Sequence, residues 1–158
     1  MECHGEINIM PIKSFRGLMA DGAQDTIVLH TNNGSIGYRI VKFQIMSSSP
    51  GATNTESLVQ IFKVKQTEPI ATSGGTVDFS NQTLLGAAFI KESADYYHPL
   101  SDAVIFDQEI FNQDIYVTHT NQEGTLAVNY YIELEQVKLD LSQNTVATLK
   151  DIRNITAP

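Results

Sequence analysis

The chain has 158 residues, 42% of them apolar, with ten Lys and Arg against eighteen Asp and Glu and a net charge of −8; this is the size of one ordinary domain, able to bury about two thirds of the surface its unfolded form exposes. The acidic balance opposes a polyanion, so nucleic acid is not an expected partner, and the absence of any run of about 18 apolar residues gives no expectation of a membrane span. Cys3 is the single cysteine, so no intrachain disulfide can form, and the start MECHGEINIM lacks the basic and apolar regions of a signal peptide, so folding in a cytoplasm is expected.

Residues 1–13 place Met1, Ile7, Ile9, Met10 and Ile12 among small or polar neighbours and the helix-breaking Pro11. They predict an N-terminal arm ahead of a single domain over 14–158, because so little apolar surface cannot order itself. Such an arm can pair with the strand edge of a neighbouring subunit, with Ile7, Ile9 and Met10 as anchors; the alternatives are a terminal remnant without contacts, or a first strand of the domain itself.

Next, Thr26–Leu29, the turn Asn32-Asn33-Gly34 and Gly37–Met46 predict a hairpin, since Asn-Gly supplies the positive φ of a tight turn. In its second strand Val41, Phe43 and Ile45 alternate with Lys42 and Gln44, the period of a half-buried strand. The small and polar stretch Ser47–Thr55 predicts an exposed loop. Leu58–Val64 is apolar on both phases and predicts a strand covered on both sides. Ser73-Gly74-Gly75 breaks the chain before Val77-Asp78-Phe79. Ser80 or Asn81 can cap a helix through Leu84, Leu85, Ala88 and Phe89, but the same run also fits a buried strand, the preferred reading.

Val104–Phe106 and Ile115–His119 are β-branched and aromatic, hence strands. Thr120–Gly124 predicts a hairpin loop into a long strand from Leu126, on which Val128, Tyr130, Ile132 and Leu134 share one face. Val137, Leu139 and Leu141 fall on the opposite phase, which predicts a bulge near Glu135-Gln136. Ser142 can cap a short C-terminal helix carrying Val146, Leu149 and Ile152. Seven or eight strands without alternating helices predict a mainly β, single-domain antiparallel β-sandwich, jelly-roll or immunoglobulin-like, ending in that helix.

Reactive constellations are scarce. His4, His30, His98 and His119 lack the spacing of a zinc site, Cys3 adjoins only His4, and no metal or cofactor is expected. His119 reads as a surface or rim histidine. Tyr96-Tyr97-His98-Pro99 puts aromatic side chains in a loop, where they serve contacts or sugar binding, although such clusters more often cover the end of a core. Asp102, Asp107 and Glu109 supply carboxylates of the type that flanks a glycosidic bond, with nothing in the sequence to set their separation. No nucleophile elbow, phosphate-cradling loop or metalloprotease motif is present, and Asp21-Gly22 and Asn32-Asn33-Gly34 have too few spaced carboxylates for a calcium loop. The expectation is a protein that binds or builds and is not an enzyme.

Three blocks, KSFRGLMADGAQDTIVLHTNNGSIGYRIVKFQIM, VDFSNQTLLGAAF and FDQEIFNQDIYVTHTNQEGTLAVNYYIELEQVKLDLSQNTVATLKDIRNI, resemble small structural proteins of tailed phages of marine bacteria and cyanobacteria. The resemblance runs from about Lys13 to Ile155 and brings no catalytic residues with it. It implies a virion component made in the host cytoplasm, a capsid decoration or cement protein or a small tail or neck protein. Its partners would be phage capsid or tail proteins and further copies of itself, with a trimer the arrangement expected of a decoration protein. A carbohydrate-binding β-sandwich in host recognition, using Tyr96, Tyr97 and His98 with Tyr130 and Tyr131, is the alternative.

Overall fold

A computed structural model describes residues 11–32, 34–70, 75–94, 101–140 and 148–149. The eight strands among them are β1 (Ile12–Met19), β2 (Gln24–Ile27), β3 (Ile36–Ser47), β4 (Thr55–Phe62), β5 (Leu84–Glu92), β6 (Ser101–Phe106), β7 (Ile115–Asn121) and β8 (Val128–Lys138). They pair antiparallel in two sheets, one ordered β1-β8-β3 and the other β2-β7-β4-β5-β6. The chain is mainly β, as its run of strand patterns predicts. Of the expected C-terminal helix, Thr148 and Leu149 are helical, while Ser142, Val146 and Ile152 lie outside the described residues.

Period-two burial is clearest in β8, where Val128, Tyr130, Ile132 and Leu134 are all buried. From the facing sheet, Ile27, Val59, Ile61, Leu85, Ala88, Ile115 and Val117 join Met19, Ile40, Phe43 and these β8 residues in one apolar core, so the inner faces of the two sheets bury each other. Burying a side chain of this size is worth roughly 1.5–3 kcal/mol, which is why alternation, once present, decides which face turns inward. β4 is central, with β7 on one side and β5 on the other, and Leu58, Val59, Gln60, Ile61 and Phe62 are all buried. On its outer side the chain that follows it makes contact, Gln60 Nε2 donating to Thr76 O at 3.1 Å.

Two predicted hairpins are not hairpins. β2 pairs with β7 and β3 pairs with β8, so the chain crosses between sheets where a turn was expected. The turn chemistry is still present, with Gly34 at φ 63° and its N–H directed at Thr31 O at 3.3 Å. Beyond Ile27, however, the Asp114 carboxylate accepts from Leu29 N at 2.8 Å and His30 N at 3.0 Å; it takes the place of strand partners while Leu29 reaches the core. Likewise Thr120–Gly124 does not return β8 beside β7. Asn121 organises that crossing, donating to Thr55 Oγ1 at 2.8 Å and Leu126 O at 3.0 Å and accepting from Glu123 N at 3.1 Å.

The bulge is also displaced. β8 runs through Glu135 and Gln136 in continuous register, and the register shift lies opposite, between Ile40 and Lys42 of β3. The extra residue Val41 changes the inward phase from even to odd, so that Tyr38, Ile40 and Phe43 are all buried. Val137 stays half-buried on the outward phase, and Leu139 is buried just beyond the strand. A second shift near Phe62 leaves Leu85 as the extra residue of β5, and it too enters the core.

The pairing is nested. β1 pairs with β8, β2 with β7 and β4 with β5. β6 runs beside β5, and soon after it Phe111 makes an isolated bridge to Tyr38 of β3, with backbone hydrogen bonds of 2.7 and 3.0 Å and the two rings stacked at 6.4 Å.

Candidate binding face

On the three-stranded sheet the outward phase is read directly from the register. Leu18, Asn129 and Met46 lie opposite one another, then Arg16, Tyr131 and Gln44, then Ser14, Glu133 and Lys42. The inward partners Phe15, Met19, Val128, Tyr130 and Ile132 belong to or pack on the core, so their neighbours in sequence must point to solvent. Leu18 is 61% and Met46 59% exposed, a large apolar exposure for two positions that flank Asn129 on one face. With Arg16, Lys42, Gln44 and Tyr131 they line an open depression of about 770 Å³.

Tyr131 stands at its centre. Its hydroxyl donates to Glu133 Oε1 at 2.8 Å, and this bond to the carboxylate raises the phenol pKa and keeps it protonated. Lys42 Nζ sits 5.6 Å from the ring centroid, a cation–π contact. Arg39 pairs with Glu135. Among the described residues Arg16 makes no ion pair, and the amides of Gln44 and Asn129 make no side-chain hydrogen bond, so their polar groups face water. A second, smaller hollow of about 240 Å³ lies by Phe79, Leu84 and Ile105 at the β6 edge of the other sheet.

The sequence matches no family model and no curated protein.

Of the residues singled out in the sequence, Ile7, Ile9, Met10, Tyr96, Tyr97 and His98 lie outside the described residues, as do Cys3 and His4. Tyr130 and Tyr131 part company: Tyr131 faces outward, whereas Tyr130 is buried and its hydroxyl donates across to Asp25 of the other sheet at 3.0 Å. Burial, followed by the Asp25 carboxylate, pushes the Tyr130 pKa up. Glu109 is held by the buried Lys63 ammonium at 3.0 Å, and its backbone N–H donates to Asp107 Oδ1 at 2.8 Å; Asp102 is exposed on β6. His30 pairs with Asp114 at 2.7 Å.

His119 is not a rim residue but has no exposed surface at all. The partner strand explains this, since His119 lies opposite Val59 of β4 and therefore points into the core. Among the described residues no three His, Cys, Asp or Glu side chains come together in a way that could hold a metal ion. The candidate face itself was missed in the sequence, because Arg16, Gln44, Lys42 and Asn129 come from three separate segments. The available signal was the outward phase of each strand; what joins them is the pairing β1-β8-β3.

Proposed function

We propose that this protein is a non-catalytic structural subunit of a tailed-phage particle, a capsid decoration or cement protein that works by docking on the shell, with a small tail or neck protein as the nearest variant. The three resembling sequence blocks motivate the reading. The observation that supports it best is the nested strand pairing, which we read as a jelly-roll sandwich. Rolling up one long antiparallel hairpin pairs first with last, second with seventh, third with sixth and fourth with fifth. Here β6 pairs with β5 instead of β3, and the contact that stands nearest to the third pairing is the isolated bridge from Tyr38 of β3 to Phe111, just past β6. An immunoglobulin-like order would keep the first two strands in one sheet, whereas β1 and β2 lie in different sheets. Architecture of this kind suits a lattice subunit but also serves lectins, so the particle itself must decide. Mass spectrometry of purified virions should find the protein in many copies per particle, and its absence overturns the reading.

A second reading, carbohydrate recognition, is favoured by the outer face of the three-stranded sheet. There an aromatic ring with a locked hydroxyl lies between amide and guanidinium side chains in an open depression, the mixture of ring face and planar hydrogen-bonding groups that suits sugars.

A further inference from the structure

We infer that the outer face of the β1-β8-β3 sheet binds a uronate-bearing polysaccharide, with Arg16 meeting the carboxylate and Tyr131 packing against a sugar ring. The inference rests on the second reading above and names the class of glycan.

Charge is the first argument. The chain as a whole carries −8, yet the strands of the small sheet hold five basic residues, Lys13, Arg16, Arg39, Lys42 and Lys138, against Glu133 and Glu135 alone. The strands of the large sheet show the reverse, Lys91 against Asp25, Glu56, Glu92 and Asp102. Half of the cations are therefore gathered on three strands, and an acidic ligand is steered to that side and repelled from the other.

Local engagement is the second. On this face both carboxylates are occupied, Glu135 by Arg39 and Glu133 by the Tyr131 hydroxyl. Arg16 is exposed and, among the described residues, free of an ion pair. Beside Lys42, which lies over the Tyr131 ring, it is the guanidinium that this face offers to a ligand. A guanidinium meets a carboxylate with two parallel hydrogen bonds, a fit that a point charge lacks.

Shape is the third. Arg16, Tyr131 and Gln44 are direct cross-strand neighbours, so strand spacing sets Arg16 and Gln44 roughly 10 Å apart with the ring between them. Lys42 lies over that ring, 5.6 Å from its centroid, and lines the depression beside Tyr131, so a sugar would meet the ring and the ammonium together. The amides of Gln44 and Asn129 supply donors and acceptors for hydroxyl groups on either side. Because all these residues stand on paired strands, the arrangement is preorganised and little ordering entropy opposes binding.

The test titrates the full chain at low salt with alginate oligosaccharides, with dextran as the uncharged sugar and poly-glutamate as the acidic non-sugar. Alginate should bind, more weakly as salt is raised; dextran and poly-glutamate should not. Arg16→Ala should weaken alginate binding roughly tenfold, Tyr131→Ala should weaken it further, and Lys65→Ala, an exposed cation elsewhere, should leave it unchanged. Should Tyr131→Ala fail to fold, Arg16→Ala decides alone, since its exposed side chain supports no core contact. No binding of alginate, binding that Arg16→Ala leaves intact, or equal binding of poly-glutamate overturns the inference; the last outcome would mark the face as a dock for an acidic protein. Presence of the protein in virions together with failure to bind alginate would leave the structural role standing and remove only the glycan.

Discussion

At the scale of single residues, the buried polar groups join the two sheets. His119 Nδ1 lies 3.1 Å from both Met19 O and Ala20 O, so that nitrogen must carry the hydrogen, and Nε2 accepts from Ser57 Oγ at 3.3 Å. The imidazole is thus satisfied in its neutral form. Burial lowers its pKa from the usual 6.5, only partly opposed by the Ala20 carbonyl, Asp21 and the Met19 carbonyl. A histidine depressed in the folded state is protonated first in the unfolded chain, so its contribution is complete above about pH 6.5 and is lost as pH falls toward the folded value. Urea unfolding should therefore show a midpoint that declines below about pH 6.5, and His119→Gln should flatten that decline; identical pH slopes in the two proteins would refute the assignment.

At the scale of the element, β1 is shaped by what lies beneath it. A Cβ on Gly17 would stand 2.9 Å from both Cε1 and the hydroxyl oxygen of Tyr130, the side chain that reaches Asp25 on β2. Glycine is used here for close approach, since its φ is not in the left-handed region. Gly17→Ala should displace the ring and cost about 1–3 kcal/mol, while Tyr130→Phe, which removes only the cross-sheet hydrogen bond, should cost about 1 kcal/mol. Chemical denaturation of the two variants checks the order, and a neutral Gly17→Ala would show that β1 can move away. Most strands were legible because their residues alternate or are β-branched, and the run from Leu84 resolved as a strand since β4 and β6 flank it. Their partners were not legible. Asn-Gly specifies a turn, and nothing in a turn obliges the flanking strands to pair when Asp114 can satisfy the backbone instead.

At the scale of the whole molecule, the two sheets share one core, so neither can retain its structure after the other is lost. The first and last strands pair with each other, Ile12 opposite Glu135, which ties the ends of the described fold together. Unfolding should be a single transition in which far-UV circular dichroism coincides with tyrosine fluorescence, a clean probe in a chain with six Tyr and no Trp. Ile132→Ala, at a position with no exposed surface, should lower stability by about 2–5 kcal/mol in both signals equally. Two separated transitions would mean that the sheets unfold independently.

What the sequence determined by itself was the β character, the inward face of β8, the double-sided burial of β4 and the exposed loop after β3, except that its expected ends Ser47 and Thr55 are buried strand residues. Each is a matter of local period and of apolar area, which the chain carries residue by residue. The tertiary structure alone decided which strands pair, where the bulge falls, that His119 is buried, and that Arg16, Lys42, Gln44 and Tyr131 share one face. Backbone hydrogen-bonding groups are the same in every strand, so partner choice is settled by which combination buries all the apolar faces at once, and that sum exists only for the whole chain.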